Sequence, residues 1–145
     1  MAERLGDVLL RRQVIGPAQL QEALEEQIQT NQFLGEILIR RGVVSERQLL
    51  EILAEQYHTR FVSLADIKIN PTVIKLVPKG LVWEYKIMPL EIQNSTILIA
   101  VSNPLDMWPM SVLQSQLDLA EVRFVLAQKA DIRRAIEKHY GLDAE

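Results

Sequence analysis

The sequence predicts an α+β protein in two parts. Residues 1–60 form an N-terminal all-helical subdomain of two tandem helical hairpins, and residues 61–145 form a small α+β subdomain with a three-stranded sheet. Three observations predict this. A segment near the N-terminus occurs twice, about 29 positions apart. Within each copy the apolar residues recur at helical spacing. From about Phe61 that period gives way to short helical segments and strand-like apolar runs punctuated by turn residues.

The copies are RLGDVLLRRQVIGPAQLQEALEEQ, Arg4 to Gln27, and FLGEILIRRGVVSERQLLEILAEQ, Phe33 to Gln56. They share Leu5/Leu34, Gly6/Gly35, Leu9/Leu38, Arg11/Arg40, Arg12/Arg41, Val14/Val43, Gln19/Gln48, Leu20/Leu49, Glu22/Glu51, Leu24/Leu53, Glu26/Glu55 and Gln27/Gln56. Leu5, Val8 and Leu9, with Leu34, Ile37 and Leu38, predict a short first helix in each copy. Leu20, Ala23 and Leu24, with Leu49, Ile52 and Leu53, predict a longer second one. Gly16-Pro17 starts the second helix of copy one with proline at the first helical position, and Ser45-Glu46-Arg47-Gln48 starts its counterpart as a capping box. Residues Ile28 to Gln32 read as the linker. A lone hairpin cannot bury its apolar stripe, so the two are expected to pack on each other around a pseudo-twofold axis.

In the second part, Asn70-Pro71 caps a short helix, and another covers Leu81 to Tyr85. Ile87 to Ile92 and Thr96 to Ser102 read as strands joined by the turn Gln93-Asn94-Ser95. A helix after Asn103-Pro104, a strand at Glu121 to Leu126 and a helix from Lys129 to Tyr140 complete a small sheet with helices on one face.

A chain of 145 residues, 48% of them hydrophobic, can bury one sizeable core or two small ones. No apolar run reaches the roughly 20 residues that span a bilayer, and MAERLGDVLL has acids where a secretion signal carries a basic flank. A cytoplasmic, not membrane-inserted protein is expected. The absence of cysteine removes disulfides and thiolate chemistry. A net charge of −3 argues against a DNA- or RNA-binding face. Up to Arg60 every basic residue is arginine, which suits guanine edges and phosphate oxygens as well as a solvated surface.

Catalytic and metal chemistry lack parts. His58 and His139 sit in no motif, no HExxH or GxxxxGK[ST] pattern occurs, and Glu25-Glu26 reads as a solvated helix face. The chain is expected to be no enzyme, with no catalytic residue, no metal and no cofactor. Attention falls on the repeat. A glycine inside the first turn of a helix costs about 1 kcal/mol against alanine, so Gly6 and Gly35 imply close approach, either of another helix or of a ligand. Gln27 and Gln56 place an amide on the leucine face, to cap a helix end or to bond a ligand edge.

The order RLGxxLLxxxVIxxxxLxxxLxxQ, a five-residue spacer and xLGxxLIxxGVVxxxxLxxxLxxQ resembles the MshEN domain, the cyclic di-GMP-binding N-terminal region of many hexameric ATPases of type II secretion and type IV pilus systems. MPL, LIAVSNPLD and IRRAIEKHYG resemble its second, α+β part, and the ATPase core is missing. The resemblance implies a regulatory domain binding cyclic di-GMP, or alternatively a module docking a secretion or pilus ATPase core on a platform protein. A ligand of two guanines and two phosphates would meet two similar walls. The implied ligand residues are Arg4, Leu5, Gly6, Leu9, Leu10, Val14, Ile15, Leu20, Leu24 and Gln27 in the first copy. In the second they are Phe33, Leu34, Gly35, Leu38, Ile39, Gly42, Val43, Val44, Leu49, Leu53 and Gln56. In the family the arginine contacts a guanine, the glycine admits the ligand, the leucines pack on base and ribose, and the glutamine hydrogen-bonds. Asp106, in NPLD, resembles a family acid near the pocket, and a carboxylate there could accept both N1–H and N2–H of a guanine; capping a helix is its equal alternative. Two positions depart from the pattern: Gln13 replaces a glycine of the first copy, and Phe33 replaces the arginine of the second. Phenylalanine can stack on a base but cannot donate to guanine O6 or N7.

Overall fold

A computed structural model describes residues 4–104 and 108–141. The chain divides into two compact units, Met1–Gln56 and Tyr57–Glu145.

The first unit contains α1 (Leu5–Arg11), α2 (Pro17–Thr30), α3 (Leu34–Arg40) and α4 (Glu46–Gln56), the two hairpins expected from the repeat. Its core is Val8, Leu9, Ile15, Leu20 and Ala23 of one copy with Ile37, Leu38, Val44, Leu49, Ile52 and Leu53 of the other. The ends of α1 and α3 are built alike. Gln13 N–H donates to Leu10 O and Val14 N–H to Leu9 O, while Gly42 N–H donates to Ile39 O and Val43 N–H to Leu38 O. This is the pattern of a helix closed by a left-handed residue, with Gln13 at φ 60 and Gly42 at φ 73 in that role. The glycine of the motif is thus a turn glycine, and Gln13 makes the same turn with a side chain attached.

The capping box of α4 forms in full: Gln48 N–H donates to Ser45 Oγ, and Ser45 N–H to Gln48 Oε1, both at 3.0 Å. On α2 only its second half is available, Gly16 N–H to Gln19 Oε1 at 2.8 Å. The linker is shorter than Ile28 to Gln32, because α2 continues to Thr30. No helix breaker interrupts Ile28-Gln29-Thr30, and Asn31, left-handed at φ 59, closes the helix with its N–H on Gln27 O.

The second unit contains a 3-10 turn (Leu64–Asp66), α5 (Pro71–Leu76), α6 (Lys79–Tyr85), β1 (Met88–Gln93), β2 (Thr96–Val101), α7 (Trp108–Gln116), β3 (Glu121–Leu126) and α8 (Lys129–Tyr140). The sheet order is β1-β2-β3, antiparallel between the first two strands and parallel between the last two. Asn94 and Ser95 are both left-handed, φ 51 and 68, which is the two-residue turn whose twist matches a hairpin. Parallel pairing of β2 with β3 needs a crossover, which α7 supplies. Pro89 is tolerated because β1 is an edge strand, and the register shifts between Pro89 and Glu91. Ile97, Ile99, Val101 and Leu126 are buried with Ile132 and Ile136 of α8, so the helices cover one sheet face. The other edge, beside β3, is covered by residues 59–62: Val62 N–H donates to Leu126 O, Leu126 N–H to Arg60 O, and Thr59 Oγ1 to Phe124 O. Asn70 caps α5 through its side-chain oxygen, which accepts from Thr72 N–H at 2.9 Å. Helix α6 begins at Lys79, two residues ahead of Leu81, directly after Pro78.

Candidate ligand-binding site

The residues singled out in the repeat separate into two sets. Gly6, Leu9, Ile15, Leu20, Gly35, Leu38, Val44, Leu49 and Leu53 are buried and hold the hairpins together. Arg4, Leu5, Leu10, Val14, Leu24 and Gln27 of the first copy, with Phe33, Leu34, Ile39, Gly42, Val43 and Gln56 of the second, are half-buried or exposed. Only the second set reaches the surface, with side chains at every position except Gly42. Asp106 lies outside the described residues.

Close packing accounts for both glycines. A Cβ on Gly35 would lie 2.5 Å from Leu49 Cδ2, and one on Gly6 would lie 3.0 Å from Leu20 Cδ1. The same position on Gly6 is 3.6 Å from Leu34 Cδ2. The first turns of α1 and α3 therefore meet, and the motif starts of the two copies come together there.

Arg4 and Phe33 occupy equivalent N-cap positions with nearly the same backbone, φ −72, ψ 152 and φ −67, ψ 142. Both side chains are exposed, so the substitution changes chemistry and leaves the scaffold alone. A second asymmetry lies in the last leucines: Leu24 is 36% exposed, and its mate Leu53 only 6%. Gln27 Nε2 donates to Gln32 O at 3.1 Å, tying down the chain after α2, and the Oε1 of Gln56 is buried.

An ion-pair set joins the copies, and it obeys the pseudo-twofold relation. Arg41 of copy two reaches Glu26 of copy one, Nη2 to Oε1 at 2.7 Å, and Glu22 at 3.2 Å. Arg12 of copy one reaches Glu55 of copy two, Nη1 to Oε2 at 2.7 Å. Arg12 matches Arg41 and Glu26 matches Glu55 in the repeat, so these are one contact made twice with the partners exchanged, as across a true twofold. Arg40 also bonds Glu26 and donates to Gln32 Oε1 at 2.9 Å. Glu26 is therefore not a solvated face residue; its side chain is 16% exposed and clamped by two guanidinium groups. Arg40, then Arg41, hold its carboxyl below the ordinary value of 4.5, and Arg12 does the same for Glu55. The shared Arg12/Arg41 and Glu26/Glu55 identities were the visible signal of this latch.

Among the described residues no cluster of three histidines or acids could hold a metal ion, and no helix is long and apolar enough to cross a membrane. His58 is exposed, with φ 56.

The MshEN domain family model matches residues 57–145. The type IV pilus assembly ATPase PilB of Myxococcus xanthus (strain DK1622) is 31% identical over 141 residues, 97% of this chain and 25% of that protein. The chain thus spans about a quarter of the curated relative it matches. The solved structure of MshE with cdg superposes with a TM-score of 0.88 at 30% identity, covering 95% of this chain and 99% of that one. The N-terminal domain of XpsE, in two crystal forms, shares the fold at 19% and 20% identity, with TM-scores of 0.62 and 0.76, covering 97% of this chain and 100% of that one in each case. The tandem motif and the family model therefore fall on adjoining parts of the chain, and the MshE match spans both.

Proposed function

Because the chain belongs to the MshEN domain family, we propose that it is a regulatory domain that binds cyclic di-GMP through its tandem hairpins and reports occupancy to a type II secretion or type IV pilus ATPase. The observation that carries this reading is the likeness to MshE with cdg, whose ligand we take to be cyclic di-GMP, over nearly the whole of both chains. The half-buried leucines and valines at matching places in the two copies supply apolar surface for base and ribose, and Arg4 supplies a planar donor for guanine O6 and N7. The latch between the copies holds these walls in place before the ligand arrives, which lowers the ordering cost of binding.

Under this reading the exposed and half-buried motif residues contact the ligand, and the buried ones support them. Asp106 is the proposed acceptor for a guanine Watson–Crick edge. The domain does no chemistry of its own; hydrolysis belongs to the ATPase core that it regulates.

A ligand that binds only the folded state raises its melting temperature with concentration. Cyclic di-GMP is expected to raise the melting temperature progressively, while GTP at the same concentrations leaves it unchanged. Equal shifts from both nucleotides, or none from either, would remove the proposal.

A further inference from the structure

The second unit carries a cavity of about 320 Å³ between α6 and α8 that plays no part in the reading above. Its floor is apolar: Trp83 of α6 and Ile132 and Ile136 of α8 are all buried. Its rim is cationic, with the exposed side chains of Lys86, Lys129 and Arg133. Among the described residues no carboxylate lines it, although the chain as a whole is acidic at −3.

Lys86 is held there by its backbone. It closes α6 in the left-handed region, φ 54 and ψ 51, where glycine or asparagine is usual. Its Nζ stands 5.1 Å from the centre of the Trp83 ring, on the electron-rich face that attracts a cation. Arg133 pairs with Glu137 at 3.4 Å, but its side chain is 73% exposed, and such a surface pair is readily exchanged for another anion.

We propose that this cavity binds a small organic carboxylate with an aromatic or branched apolar body. The body packs on the open edge of Trp83 and the aliphatic stems of Lys86, Lys129 and Arg133, and the carboxylate takes the charged ends of that rim. A bare inorganic anion would leave most of the cavity unfilled, and no glycine-rich loop lines it to cradle a phosphate. The volume is near the lower limit of about 300 Å³ for ligand pockets, which suits one or two rings and is too small for a cyclic dinucleotide.

Trp83 is the reporter, since its Nε1–H donates to Gly141 O at 3.2 Å and gives an assignable indole resonance. The whole chain, labelled with nitrogen-15, is titrated with 2-naphthoate and with its uncharged match 2-naphthamide. Naphthoate should shift the Trp83 resonance saturably and bind about tenfold more tightly than the amide, as expected when one head group meets several cations. The double variant Lys86→Gly/Arg133→Gln, which leaves Lys129 on the rim, should bring that preference well below tenfold, and an unchanged preference would overturn the proposal. Both positions are exposed, and glycine suits the left-handed backbone at 86, so the variant keeps the fold. Saturating cyclic di-GMP should leave naphthoate binding intact. Equal affinity for acid and amide, no saturable shift at Trp83, or displacement by cyclic di-GMP would overturn the proposal.

Discussion

At the scale of single residues, the two copies differ most at Gln13 and Phe33. A left-handed L-residue costs about 1–2 kcal/mol, partly offset by the entropy that glycine loses on folding. Gln13→Gly should therefore stabilise the protein by about 0.5–1 kcal/mol, read as a higher urea midpoint with an unchanged slope. An unchanged or lower midpoint would mean that the glutamine side chain stabilises this turn. Arg4 and Phe33 share a backbone geometry and are both exposed, so their variants report on the ligand. Loss of a charge-assisted hydrogen bond of about 1.5–3 kcal/mol should weaken cyclic di-GMP binding at least about tenfold in Arg4→Ala. Phe33→Ala should cost less, and Phe33→Arg should tighten binding. Equal losses at both positions in folded variants would contradict an asymmetric site.

At the scale of elements, the latch between the copies makes the first unit sensitive to acid. Glu26 and Glu55 have carboxyl pKa values held below 4.5 in the folded protein, so the stability they contribute is present above that value and is lost as the pH falls through the lowered ones. Denaturant midpoints should therefore fall more steeply with pH below 4.5 in the parent than in Glu26→Gln/Glu55→Gln. Parallel curves would show that the pairs add nothing, as many exposed pairs do.

Much of this level was legible in the sequence. Helix starts with proline or a capping box, and the β3 and α8 segments with clear periodicity and flanking turns, follow the expected bounds closely. Where α2 ends was not legible, because Ile28-Gln29-Thr30 is neither apolar-periodic nor a breaker, and only the left-handed Asn31 decides it. Nor was the edge formed by residues 59–62, whose partner β3 lies more than sixty positions away, as the Thr59 to Phe124 bond shows. At the site, identity between the copies marked Gly6 and Gly35 but could not say whether a leucine or a ligand came close; the packing of Leu20 and Leu49 answers that. Repeat identity likewise could not tell Leu24, which is exposed, from Leu53, which is not.

At the scale of the whole molecule, the internal pseudo-twofold of the first unit matches the proposed ligand, cyclic di-GMP, which is itself two like halves. The crossed pairs Arg12–Glu55 and Arg41–Glu26 are the physical trace of that symmetry, and the exposed and half-buried motif positions repeat with it except at Leu24, whose mate Leu53 is buried. If each copy reads one half of the ligand, a chain holds one cyclic di-GMP between two walls. Isothermal titration of the full chain measures this most directly. The account predicts saturable heat with cyclic di-GMP at one ligand per chain and none with GTP. Two independent equivalent sites per chain, or no saturable heat from folded protein, would contradict it.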